Sequence, residues 1–157
     1  VLCLCMKTTI LPYRAEDFSA VSELFCETIS TVNAGDYSPL QCKAWIERSQ
    51  GLLTRKDTLL RQRTLLAKRN ALLVGFGSID GNGYLDLLYV RKDFLRGGIA
   101  SALCDELEKG FLSVETHASM TAKPFFETRG YATVCAQEID CNGVALKNFV
   151  MRKRFPQ

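Results

Sequence analysis

The chain has 157 residues, 47% hydrophobic and 24% charged, with a formal net charge of +3. That length suits one globular domain, with enough apolar material for a core that needs no disulfides. The charge is slight and its acidic and basic residues are interspersed, which argues against a nucleic-acid-binding protein but suits a small anionic ligand.

The opening "VLCLCM" is apolar but too short for a signal peptide or a membrane span, and it lacks a basic flank. Residues 1–5 read as an upstream extension before Met6, and residues 6–157 as a single domain. Thr8–Tyr13 reads as a strand ended by Pro12. "AEDFSAVSELFCETIST" reads as a helix capped by Asp17 or a neighbour, with Phe18, Val21, Leu24, Phe25 and Ile29 at helical spacing. "VNAGDY" breaks it, and Ser38-Pro39 opens a second helix that carries Trp45. "LLTRKDTLLRQR" has the weakest pattern and fits a short helix.

Thr64–Lys68, Leu72–Ile79 and Tyr84–Val90 follow as strands, joined by the Asn70-Ala71 turn and by "DGNG", so they form an antiparallel meander. A helix from Gly98 to Lys109 presents Ile99, Leu103 and Leu107 on one face and stops at Gly110. Leu112–His117 is a strand, and the helical crossover predicts that it runs parallel to 84–90. "SMTAKPFFETRG" is a helix with Pro124 in its first turn, and "YATVCAQEID" and "VALKNFVMRKR" form a hairpin around "CNG". The order β-α-α-β-β-β-α-β-α-β-β predicts an α/β (α+β) fold, a mixed sheet with helices on both faces.

Cysteines at 3, 5, 26, 42, 104, 135 and 141 form no C-x-x-C pair, and His117 is the single histidine, so no metal site of the usual zinc spacing is expected. Most of these cysteines fall in apolar patterns, as small buried hydrophobes in a reducing cytoplasm would. Cys104, inside a helix, reads as structural.

"FLRGGIASAL" sits at a strand-to-helix junction. The first N–H groups of a helix have no internal partner, and the helix dipole adds positive charge, so such a junction holds phosphate if side chains leave it open. Gly97 and Gly98 leave it open, Ala100 is small and Arg96 adds charge. Two readings stand, glycines for packing or glycines for an anion. No G-x-x-x-x-G-K-S/T or G-x-G-x-x-G occurs, which excludes the nucleotide P-loop and the Rossmann fingerprint.

Asp86 lies within an apolar strand, where an unpartnered carboxylate is costly. Alternation puts Tyr84, Asp86, Leu88 and Val90 on one face. Asp86 is therefore a candidate general base, or else a solvent-facing or ion-paired aspartate. Asp36, Tyr37 and Trp45 offer a carboxylate and aromatic faces that suit a cationic amine, or else a cap and core packing. His117 ends a strand beside the same region, with a structural role as the simpler reading.

The segment Leu95-Arg96-Gly97-Gly98-Ile99-Ala100 resembles the Q/R-x-x-G-x-G/A signature of the GNAT superfamily of N-acetyltransferases, with Gly98 and Ala100 matching and Leu95 departing from glutamine or arginine. "ASMTAKPFFETRGY" resembles that family's second motif: Ala122, Phe125, Phe126, Glu127, Gly130 and Tyr131 align, and Ser119 stands in the asparagine position. The two motifs and the strand order agree from about Thr8 to Arg154.

The resemblance implies a mostly antiparallel sheet with one splayed parallel pair holding acetyl-CoA as cosubstrate. Leu88, Tyr89 and Val90 would offer backbone to pantetheine. Arg96, Gly97, Gly98, Ile99, Ala100 and Ser101 would hold the pyrophosphate. Ser119, Lys123 and Phe126 would flank the thioester end or the pantetheine. It further implies acetyl transfer by direct attack to a primary amine of a small molecule or peptide, with no nucleic acid or membrane as partner, and it allows a homodimer. Phe126 occupies the place of the family's usual tyrosine acid, so Tyr89, Ser119 and Tyr131 are the remaining hydroxyls nearby in sequence, Tyr131 more naturally a core residue. The departures at Leu95 and Phe126 leave a non-catalytic acyl-CoA-binding domain as the alternative.

Overall fold

The computed structural model describes residues 7–49 and 55–157. The expected extension, Cys3, Cys5 and the first residues of the 52–63 segment lie outside the described residues.

β1 (Thr9–Pro12) leads through a 3-10 turn at Ala15–Asp17 into α1 (Phe18–Thr31). Asp17 does not cap α1. Its carboxylate accepts the Arg14 N–H at 2.9 Å and pairs with Lys68 at 3.6 Å, fastening the turn to the sheet. α2 (Pro39–Ser49) starts as expected: Ser38 Oγ accepts the Gln41 N–H at 3.1 Å while Gln41 Oε1 accepts the Ser38 N–H at 2.9 Å, a reciprocal cap ahead of proline. The weak segment forms a short α3 (Lys56–Arg61).

β2 (Arg63–Arg69), β3 (Leu72–Ile79) and β4 (Tyr84–Val90) form the expected antiparallel meander. α4 (Ile99–Leu107) crosses to β5 (Ser113–Ser119), and α5 (Lys123–Thr128) precedes the hairpin of β6 (Ala132–Cys141) and β7 (Val144–Arg154). The seven strands form one sheet in the order β1-β2-β3-β4-β5-β7-β6, antiparallel everywhere except between β4 and β5. Helices cover both faces. α1, α2 and α3 bury Leu24, Ile29, Leu59, Phe76 and Leu87 on one side, and α4 buries Ile99, Leu103, Leu107, Val114 and Met151 on the other. Each such fully buried side chain contributes about 1.5–3 kcal/mol.

One expectation about β4 fails. Ser78 pairs with Leu87 but the adjacent Ile79 pairs with Leu85, so Asp86 is the extra residue of a β-bulge. The bulge resets the alternation. Leu87 and Tyr89 pack on the α1 side, whereas Leu85, Leu88 and Val90 pack on the α4 side. Leu88 and Val90 therefore do not share a face with Tyr84 and Asp86.

The parallel pairing starts at Gly83. The Asp80 carboxylate accepts the Asn82 and Tyr84 N–H groups at 2.8 and 3.0 Å, closing the turn, and Glu115 N–H donates to the Gly83 carbonyl at 2.9 Å. Gly83 has φ +83°, and a Cβ there would lie 2.6 Å from the Ser113 carbonyl oxygen. Gly83→Ala is expected to cost about 1–3 kcal/mol and lower the thermal midpoint by several degrees. A midpoint unchanged in thermal unfolding contradicts this register.

Tyr131 is buried, as expected. Its hydroxyl donates to Glu108 at 2.7 Å, and Arg129 donates to the same carboxylate at 2.9 and 2.6 Å, which ties α5 and β6 to α4. Of the described cysteines Cys42, Cys104 and Cys141 are buried, as expected for most of them, whereas Cys26 and Cys135 are exposed. Among the described residues no helix is long and apolar enough to cross a membrane.

Candidate active site

β4 and β5 pair over only two positions, Tyr84 with Glu115 and Leu85 with Thr116. The Thr116 hydroxyl donates to the Leu85 carbonyl at 2.9 Å, and beyond that point the pairing stops. Val90 back to Leu87 remain paired with β3, and His117 to Ser119 with β7, so a wedge opens between two strand edges in the middle of the sheet. Backbone groups on such edges need partners, and an extended amide-bearing chain can supply them.

The wide end of the wedge leads to the glycine junction. Arg96 and Gly98 both adopt left-handed backbone, with φ of 60° and 81°. A Cβ on Gly98 would meet nothing within 4 Å, so packing does not explain this glycine. It frees the space above the start of α4, where the first intrahelical bond is Ala102 N–H to Gly98 O at 3.0 Å. The Ile99, Ala100 and Ser101 N–H groups precede that bond and lack an acceptor within the helix. Ile99 is itself a core side chain, so only its backbone faces the junction.

Arg69, near the end of β2, reaches the same place. Its Nη2 lies 3.3 Å from where a Cβ on Gly97 would be, its Nε donates to Thr8 Oγ1 at 3.0 Å, and its guanidinium lies over the Phe94 ring at 5.5 Å. Sequence reading missed it, because nothing in the local pattern of β2 signals a residue that serves the distant loop at Phe94–Gly97.

At the narrow end stands Asp86. Its side chain is 21% exposed, and Arg55, just before α3, approaches its Oδ2 at 3.4 Å. Burial pushes the carboxyl above its ordinary value and Asp80 adds to the rise, while Arg55 and His117 pull it down. The structure thus gives Asp86 one cationic partner and an otherwise mostly buried setting. Tyr84 beside it is pushed up to about 12, first by burial and then by Asp86 and Glu115, so it stays protonated at neutral pH. His117 meets the Tyr84 ring edge-on at 5.1 Å and lies near Glu115 and Gln137, at 3.7 and 3.4 Å.

The sequence matches the family model of the acetyltransferase (GNAT) domain over residues 33–154. The chain belongs to the GNAT family. It is 36% identical over 140 residues to the uncharacterized N-acetyltransferase YafP of Escherichia coli strain K12, covering 89% of this chain and 91% of that one. The crystal structure of a GCN5-related N-acetyltransferase from Rhodopseudomonas palustris superposes with a TM-score of 0.89 at 32% identity, covering 97% of this chain and 99% of that one. The PaiA N-acetyltransferase of Thermoplasma acidophilum, solved in complex with coenzyme A, shares the fold, with a TM-score of 0.74 at 23% identity over 96% of this chain and 100% of that one.

Several residues of this GNAT domain sit differently from expectation. Phe126 is only 2% exposed, edge-on between Phe125 at 5.2 Å and Tyr131 at 5.0 Å in the α4-side core. It fills a core position and does not flank the wedge. Tyr37 is buried as well. Its hydroxyl donates to the Lys147 carbonyl at 2.6 Å and accepts the Met120 N–H at 2.9 Å, so it acts as a strut between the ends of β5 and β7. Trp45 packs edge-on against it at 5.4 Å, and Asp36 is exposed. These three residues form a structural pair and a surface carboxylate, which removes the basis for an aromatic amine site. Lys123 is ion-paired with Glu127 and lies over the Phe149 ring at 5.2 Å.

Ser119 ends β5 inside the wedge. Its Oγ accepts the Ala122 N–H at 3.0 Å and faces Asn33 Nδ2 at 3.5 Å, which closes the turn between β5 and α5. Its own proton has no acceptor among the described residues. Tyr89 is held between Phe25, edge-on at 4.8 Å, and Phe76, stacked at 5.5 Å, and burial drives its hydroxyl well above the usual range. Cys104 is fully buried, and burial pushes its thiol up to about 12, in keeping with a structural role.

Proposed function

We propose that this GNAT protein transfers the acetyl group of acetyl-CoA to a primary amine, with the cosubstrate lying in the wedge between β4 and β5. The observation that carries the reading is the wedge itself: a parallel pair that stops after two positions and opens onto a helix start cleared by Gly98. The residues present fit the group. The β5-facing edge of β4 over Leu88, Tyr89 and Val90, which has no partner strand there, suits the pantetheine amides. The Gly98, Ile99, Ala100 and Ser101 N–H groups, with Arg96, suit the pyrophosphate. Arg69 adds a second guanidinium to that phosphate site.

Acetyl-CoA supplies the acetyl group as a thioester. Asp86 takes the proton that the incoming ammonium must lose before its nitrogen can attack. A backbone N–H near Leu88 donates to the oxygen on which negative charge develops. As the C–N bond forms and the C–S bond breaks, the departing sulfur needs a proton. Phe126 has none, the Tyr131 hydroxyl already serves Glu108 and Tyr89 is enclosed between Phe25 and Phe76, so in this reading the Ser119 hydroxyl relays the proton: it gives its own to the sulfur and takes up the second proton that the nitrogen loses as the amide forms.

Thiol release from acetyl-CoA with a panel of primary amines tests the function. Amine-dependent release with one acetylated product per thiol is the expected result. Binding of acetyl-CoA with no turnover on any amine would instead make this an acyl-CoA-binding domain. Arg69→Ala is expected to raise the CoA dissociation constant about tenfold, the worth of one charge-assisted hydrogen bond, and to flatten its salt dependence. Unchanged affinity in calorimetric titration would remove Arg69 from the site.

A further inference from the structure

A cavity of about 100 Å³ lies under α1, between that helix, the end of α2, α3 and the sheet. Its walls are mostly apolar, Phe18, Val21, Phe25, Ile46 and Leu59, over a floor of Phe76 and Leu87. None of its described lining residues is charged. Leu87 is the residue after Asp86, and because Asp86 is the bulged residue the two follow each other where alternation is broken. Arg55, which pairs with Asp86, immediately precedes α3, whose Leu59 forms part of the wall. The cavity therefore adjoins the position at which the acceptor nitrogen must lie if Asp86 takes its proton.

We propose that this cavity holds the hydrocarbon tail of the acceptor, and that the acceptor is a primary alkylamine with an uncharged apolar tail of about four carbons. The assignment rests on the acetyl-transfer reading above. The size follows from the volume, which is somewhat below the roughly 150 Å³ that accommodates benzene. The tail's lack of charge follows from the lining, since a second ammonium lodged among these residues would be desolvated without a partner. A hydroxyl-bearing tail exchanges water for a lining that is apolar save for Ser22, Cys26 and Ser49, and so gains less than a methyl-ended one.

The test uses ethylamine, propylamine, butylamine and isopentylamine, with ethanolamine and 1,4-diaminobutane as polar-tailed controls. From ethylamine to butylamine kcat/KM is expected to rise about fourfold per methylene, with both controls at least about tenfold below butylamine. Ser22→Phe, on the partly exposed flank of α1, fills the cavity. It is expected to abolish the preference for butylamine while leaving ethylamine turnover and CoA affinity within about twofold. A readout independent of turnover is alkylation of Cys26, which lines the cavity, against the exposed Cys135 as internal control. Butylamine, but not ethanolamine, is expected to slow alkylation of Cys26 at least about threefold and leave Cys135 unaffected. Turnover that ignores tail length, with no protection of Cys26, overturns the cavity assignment while acetyl transfer stands. Protection of Cys26 without turnover on any amine supports the cavity and overturns the acetyl-transfer reading.

Discussion

Asp86→Asn is expected to lower turnover at least about tenfold with CoA affinity unchanged, and at the same time to raise thermal stability at neutral pH. Both effects come from one environment. The carboxylate sits in a bulge of an apolar strand, mostly buried, and its carboxyl is held above the ordinary value by that burial. A raised value in the folded protein means that the folded state binds the proton more tightly than the unfolded chain. Stability contributed at low pH is then lost as pH rises through the folded value, so at neutral pH the ionised group opposes folding. Asparagine removes that penalty and also removes the proton acceptor. Turnover of the wild type should fall on the acidic side as Asp86 protonates, and the variant should lose that limb. Near-normal turnover, or a variant less stable at neutral pH than the wild type, would make Asp86 a structural ion-pair partner of Arg55.

Gly98→Ala is the second large effect expected. The substituted Cβ clashes with nothing, so the fold loses only the roughly 1–2 kcal/mol of a left-handed residue other than glycine, a few degrees in the thermal midpoint. CoA affinity should nevertheless fall at least about tenfold, because the methyl group projects into the space above the helix start where the phosphates would approach. The two readouts separate the readings of the junction that sequence alone left open. A packing glycine would lose stability in proportion to a clash and leave binding unmoved. A phosphate-cradle glycine loses binding out of proportion to stability.

Much of the fold was legible because its signals are local. The meander is written in three apolar runs with turn residues between them, and α2 in a proline placed after a capping serine. The glycine junction was legible for the same reason, since two adjacent glycines between a strand and a helical run are a local signal. What was hidden depends on pairing between distant segments. The bulge at Asp86 arises from the register of β3 against β4, and no residue of β4 announces it. Without it, Leu88 and Val90 were placed on the wrong face. Tyr37 looked available to a ligand because its partners, Met120 and Lys147, lie far along the chain. Phe126 was correctly placed in its motif, but its burial follows from the Phe125 and Tyr131 rings that enclose it. Arg69 reaches the cradle from a strand with no motif of its own.

The central claim is that the wedge between β4 and β5 and the start of α4 together form the cosubstrate site. A crystal structure of the protein with CoA tests it most directly. The account predicts pyrophosphate oxygens within hydrogen-bonding distance of the N–H groups of Gly98 to Ser101, pantetheine amides paired with backbone at Leu88 to Val90, and the sulfur between Asp86 and Ser119. CoA bound elsewhere, or a wedge closed by direct pairing of β4 with β5, would contradict it.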